Sequence, residues 1–192
     1  VAAPPAPDGV ARRRAGEDLI SELFETMHEL HFMPDLISGA EFVLKVLRKA
    51  LPCELTLVHV FDINTRQFVV VRASGPGSEK VLLHRTSDSD PLLSVAMRSR
   101  RALRVDAANG DPRYVSGRWE LVAVKPANAV CGAVQEQGRY LGAIELVNPP
   151  GGGAFYDSEL NALDYICGQF ANFVVSRPII MDADVVLSAP RA

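Results

Sequence analysis

The apolar residues recur at two periods, and the change from one to the other divides the chain into elements. Over 17–33, Ile20, Leu23, Phe24, Met27 and Leu30 fall three and four positions apart with Glu22, Glu25 and Glu29 between them, which predicts an amphipathic helix. Pro34 opens a second helix at the position proline tolerates. Its inner face is Leu36, Ile37, Ala40, Val43, Leu44, Leu47 and Leu51, and Pro52 ends it. The period then drops to two. Over 54–62, Leu55, Leu57, His59 and Phe61 alternate with Thr56, Val58 and Val60, apolar enough on both faces for a central strand. A turn at 63–66, a return strand at 67–73 and a short strand at 81–84 follow. Asp90-Pro91 caps a short helix through Met97, 102–105 reads as a strand, and 107–125 reads as irregular or weakly helical.

The clearest pattern lies between 128 and 175. Strands at 129–135 and 140–147 flank Glu136-Gln137-Gly138-Arg139, a hairpin signal with glycine to take up a positive φ. Asp157 or Ser158 then caps a long helix on which Leu160, Leu163, Cys167, Phe170 and Val174 make one stripe. Arg177-Pro178 stops it, and the apolar tail beyond reads as a linker or a docked extra strand. The organisation is α+β: a linker at 1–15, a domain at 16–176 with a dimerisation helix at 16–33 and a core at 34–176, and a tail or linker at 177–192. The stripe of Ile20, Leu23, Met27 and Leu30 and that of Leu160, Leu163, Cys167, Phe170 and Val174 are expected to meet across a two-fold axis as a four-helix bundle.

A strand, a turn with Gly138-Arg139, a strand ending Glu145-Leu146-Val147-Asn148, the aromatic Phe155 and a long amphipathic helix together resemble the C-terminal half of a GAF domain. The run from Arg101 to Tyr114, with its Asp111-Pro112-Arg113-Tyr114 turn, resembles the middle of the same family. The likeness covers about 34–175. It implies a six-stranded antiparallel sheet with the first and last helices on one face and the short helix and loops over the other. It also implies a regulatory or sensory module of a bacterial-type signalling protein. Many GAF domains hold a nucleotide, tetrapyrrole or other small molecule between sheet and short helix. On that resemblance Arg104, Asp106, Arg113, Tyr114 and Trp119 would line the pocket. The chain departs from the family at Asp90, Pro91 and Ser94, where glycine is frequent, and at Ala133, where proline is. Asn148, Phe155 and Glu159 meet half of the signature of phosphodiesterase GAF domains, so cyclic nucleotide is one candidate ligand.

Composition narrows the partners. With 192 residues, 48% of them hydrophobic, the chain can bury a sizeable core, and a net charge of −3 argues against nucleic acid as a partner. Charge is uneven: nine acids against three bases from Gly16 to Asp62, eight bases against four acids from Lys80 to Arg118. Arg98, Arg100 and Arg101 gather at the end of the short helix and are expected to meet a partner protein or an adjacent signalling domain. No apolar run approaches the roughly 20 residues that cross a bilayer, so no membrane contact and a cytoplasmic location are expected.

The chemistry-bearing residues are scattered. Three cysteines, Cys53, Cys131 and Cys167, are widely spaced with no C-x-x-C, which suits buried free thiols in a reducing compartment. The methionine sulfoxide reductases that share the GAF-like fold carry cysteines in the loops over the pocket, and these three do not match. His28 and His31 stand at i, i+3 without a third ligand nearby, and His59 reads as a core histidine, so neither metal nor cofactor is expected. The expected function is therefore a non-catalytic regulatory domain acting through homodimerisation and protein contacts. A small-molecule sensor is the alternative and a reductase-like enzyme a third reading.

Overall fold

Six antiparallel strands follow one another in the spatial order β3-β2-β1-β6-β5-β4, with β1 (Leu55–Asp62) and β6 (Arg139–Val147) at the centre. The outer strands are β2 (Gln67–Ser74), β3 (Arg85–Ser87), β4 (Leu103–Asp106) and β5 (Asn128–Glu136). This computed structural model describes residues 13, 17–114, 117–179 and 181–188. Apart from Arg13, the linker expected at 1–15 lies outside the described residues, as do Ile180 and 189–192. No described helix is long and apolar enough to cross a membrane.

The sheet has a separate core on each face. Helices α1 (Glu17–Met27), α2 (Leu36–Ala50) and α5 (Asp157–Val175) cover one face, packing on Val58, Val60, Val130, Ile144 and Leu146. The short helices α3 (Pro91–Ser99) and α4 (Gly117–Glu120) cover the other, here called the distal face, over Leu55, Leu57, Phe61, Phe68 and Val70. Alternation along each strand feeds both cores at once, which is why β1 is apolar on both sides. The β5–β6 hairpin closes through Gln137 and Gly138 at φ 48° and 82°, the positive pair that a two-residue turn needs to follow the twist of the strands. A bulge in the β1–β2 ladder leaves Val71 without a counterpart, since Val58 faces Arg72 while His59 faces Val70.

Several expectations shift for identifiable reasons. The strand expected at 81–84 is a turn: Leu83 takes φ 64°, which no strand accommodates, and pairing with β2 starts at Arg85. Helix α2 starts after Asp35, whose side chain accepts from Ser38 N–H, rather than at Pro34. Helix α5 is not capped by Asp157 or Ser158. The Glu159 carboxylate reaches back to the Tyr156 N–H at 2.6 Å, and Asp157 turns to Arg104. The apolar tail forms a sixth helix, α6 (Ala183–Ser188), instead of a strand.

The expected dimer stripes are corrected by burial. Leu23, Met27, Leu30, Leu163, Cys167, Phe170 and Val174 are each at most 2% exposed within the single chain, and Ile20 and Leu160 pack against the same core. Helices α1 and α5 turn these faces toward each other, α2 and the sheet, so the seven buried side chains are not free to meet a second copy. Replacing Met27 or Leu30 by glutamate would unfold the helical layer rather than separate protomers.

The closest packing in that layer sets a sharp test. A Cβ at Gly39 of α2 would lie 2.2 Å from the Phe173 ring of α5, which is buried and stacked on Phe170. Gly39→Ala is expected to destabilise the domain by about 1–3 kcal/mol despite the higher helix propensity of alanine. Thermal denaturation of Gly39→Ala beside Gly168→Ala, whose Cβ meets nothing within 4 Å, measures the difference.

Candidate functional site

The distal core contains one group of charges. Glu145 lies on β6 opposite Leu57 of β1, and the pleat turns it to the same face as His59. It is fully buried. A carboxylate there needs a cation, and α4 brings Arg118 across it. Arg118 Nε donates to Glu145 Oε2 at 2.7 Å, and its Nη2 donates to Oε1. The fork is bidentate, the geometry in which guanidinium and carboxylate match best. Arg118 Nη1 donates to Asp90 Oδ2 at 3.1 Å, while Asp90 Oδ1 accepts from Leu92 and Leu93 N–H and so caps α3.

Electrostatics fixes the protonation of the group. Burial alone would push the Glu145 carboxyl up, but the charge and hydrogen bonds of Arg118, with the His59 bond, hold it well below the usual carboxylate range. Arg118 is desolvated too, and the two carboxylates more than offset this and hold it firmly charged. His59 Nε2 lies 2.9 Å from Glu145 Oε2. An ionised carboxylate can only accept, so this nitrogen carries the proton. The opposite ring nitrogen, Nδ1, is buried without a hydrogen-bond partner among the described residues. Trp119 Nε1 donates to Glu145 at 3.4 Å, and its ring lies against Tyr114 at 5.2 Å between centroids. Burial lowers the His84 imidazole, with a further push from Arg118 and His59.

The expected pocket residues divide into two groups. Tyr114 and Trp119 join the distal core, Trp119 only 2% exposed. The other three form a surface network at the β4 edge. Arg104 donates to Phe155 O and Asp157, Asp106 accepts from Asn109 N–H, and Arg113 donates to Asp111 and Arg104 O. Hydrogen bonds from Arg113 hold the Asp111 carboxyl down at about 2. The five thus sit in two places, two in the distal core and three at the β4 edge, where short side-chain bonds tie the arginines to their neighbours. Arg98, Arg100 and Arg101 are exposed, and among the described residues none of their guanidinium groups makes a hydrogen bond. The sequence reading missed Glu145 and Arg118. Their signal was a lone acid inside the apolar run Leu141–Val147 and a cation beside the single tryptophan.

The thiols offer no reactive pair. Burial pushes Cys131 and Cys167 well above their ordinary value and Cys53 up to about 11. Cys53 donates to Leu55 O or Thr56 and sits just before the central strand β1. His28 and His31 lie edge to face at 6.4 Å, and no group of three or more metal-ligating side chains occurs among the described residues.

No family model matches the chain, and no curated protein matches it in sequence. Solved structures do match. The GAF domain of a phosphoenolpyruvate-protein phosphotransferase from Coxiella burnetii superposes with TM-score 0.71 at 19% identity, covering 82% of this chain and 93% of its own. The corresponding domain from Acinetobacter gives TM-score 0.70 at 11% identity over 88% and 99%. A free methionine-R-sulfoxide reductase from Neisseria meningitidis, solved with its substrate, gives 0.62 at 10% identity over 86% and 95%. At these identities the likeness is one of fold: the chain has the GAF fold.

Arg118→Met is expected to cost about 3–5 kcal/mol, because it strands a buried carboxylate. The sign of the pH dependence follows from Glu145. Its folded value lies below the ordinary 4.5, so its contribution is full above about pH 4.5 and is lost as pH falls below it. Glu145→Gln should be less stable at pH 7 and should flatten that acid limb. Urea melts between pH 3 and 7 check both, and an unchanged acid limb would count against an ionised Glu145.

Proposed function

We propose that this domain is a non-catalytic regulatory module of a signalling protein, working in the cytoplasm through homodimerisation and contact with other proteins. One observation carries the reading. The space between sheet and short helices, where a GAF-fold domain can hold a small molecule, is occupied by the chain's own Arg118 and Trp119, which both donate to Glu145, with Asp90 also accepting from Arg118 and His59 bonded to the same carboxylate. The raised thiols add support against a reductase-like activity.

The surface for a second copy is the outer side of the helical layer. Phe24 and Phe32 are 69% and 72% exposed there, and a groove of about 430 Å³ runs between Phe24, Glu25, His28 and His31 on one side and Tyr165 and Gln169 of α5 on the other. Large aromatics so exposed mark contact sites. Arg98, Arg100 and Arg101 are a separate, cationic surface suited to an acidic protein segment.

A small-molecule sensor is the second reading, and the unpartnered buried His59 Nδ1 favours it, since it leaves one polar position for a ligand to fill. Cyclic nucleotide is within that class. Thermal shift with cAMP and cGMP separates the two readings: a rise in the melting temperature of the wild-type chain that is lost in His59→Phe would support the sensor.

Sedimentation equilibrium tests the regulatory reading. The wild-type chain is expected to be a dimer at tens of micromolar, and Phe24→Glu with Phe32→Glu a folded monomer. A monomeric wild type, or a double variant that still dimerises, would count against this interface.

A further inference from the structure

The C-terminal segment folds back on the domain, and the sheet is built to receive it. Helix α5 ends at Val175. Pro178 cannot donate to a continued helix, and the Arg177 guanidinium donates to His31 O and Pro34 O, both at 3.1 Å, over the Phe173 ring at 4.4 Å. These bonds hold the reversal against the start of α2. The chain then runs to α6, where Val186 is 1% exposed within the helical core and Met181 packs beside it.

The receiving group is Arg72. Strand alternation would place it with Phe68 and Val70 on the distal face, but the unpaired Val71 turns it to the helical face. There it is 5% exposed, its Nε 2.8 Å from Glu41 Oε2 without the N–H aimed at the oxygen. Its Nη1 donates to Val71 O at 2.6 Å and to Val186 O at 3.2 Å. Burial lowers its affinity for a proton, opposed by Glu41 and Asp35. A guanidinium taken out of water this far is costly unless its donors are used. The segment supplies one of the acceptors.

The seat is nevertheless shallow. Val185 and Leu187 are 45% and 54% exposed, and a cavity of about 350 Å³ remains between the segment and the start of α2, bounded by Asp35, Leu36, Ile37, Arg177, Asp182 and Val185. One buried side chain and one charged hydrogen bond hold six helical residues whose ordering opposes them.

We propose that the groove framed by the first turn of α2 and Arg72 is a docking site whose occupant is the chain's own segment 181–188, seated by Val186 and by its carbonyl on Arg72, and that the segment seats and leaves as a unit. Its position sets the direction in which the chain leaves α5. The docking does not depend on the regulatory reading above.

Hydrogen exchange on the full chain tests it. The amides of 186–188 are expected to be protected at least tenfold over the unstructured rate. Val186→Asp should abolish that protection while β1 and β6 keep theirs, and Val186→Ile should retain it. Arg72→Met, which keeps the stem and removes the donors, should release the segment as fully as Val186→Asp. Should the β1 and β6 amides show that Arg72→Met unfolds the sheet, Arg72→Lys, which keeps the charge but loses the fork, carries the same test. Unprotected 186–188 in the wild type, protection that survives Val186→Asp, or protection indifferent to both Arg72 variants would overturn the proposal.

Discussion

A carboxylate in the middle of a β-sheet must be neutralised or kept company, and much of the distal half of this domain is arranged to keep Glu145 company. Arg118 comes from a helix of only four residues in the connection between β4 and β5. That helix has too few internal bonds to stand alone. Its place is set by the guanidinium that forks onto Glu145 and by Trp119, whose ring fills the core beside it. Asp90 ties in the remaining element, since one of its oxygens caps α3 while the other accepts from Arg118. The sheet, the short helix and the long connection thus share one set of hydrogen bonds. A buried pair of this kind adds little over well-packed apolar residues of equal volume, yet removing one partner alone is severe.

That arrangement also accounts for what could and could not be read from the residues. Period and turn chemistry act over a few positions, so α2, the β5–β6 hairpin and the central placement of β1 were legible, as was the Asp90 cap with Pro91 behind it. Glu145 and Arg118 stand 27 positions apart, and no local pattern joins them. The same limit explains the helical stripes. Spacing shows that a face is buried but not what buries it, and Leu23 and Met27 of α1, with Leu30 in the turn just beyond it, meet their own chain. Strand β3 was displaced by a single left-handed residue, Leu83, a conformation that leucine rarely signals. The cap of α5 was misplaced because Asp157 and Ser158 have the expected chemistry, while Glu159 does the work from within the first turn.

Val71 shows a different kind of information in a strand. Because side chains alternate, one supernumerary residue acts as a frameshift does in a coding sequence: everything downstream is read on the opposite face until the strand ends. Phe68 and Val70 are read into the distal core, and Arg72 into the helical one. Losing that residue would preserve the composition of β2 almost unchanged and leave a ladder to form, yet it would swap the sides of Arg72 and Ala73. The strand is accordingly more tolerant of a change in the kind of residue at position 71 than of a change in the number of residues. For two cores separated by one layer of backbone, residue count is as much a part of the specification as hydrophobicity.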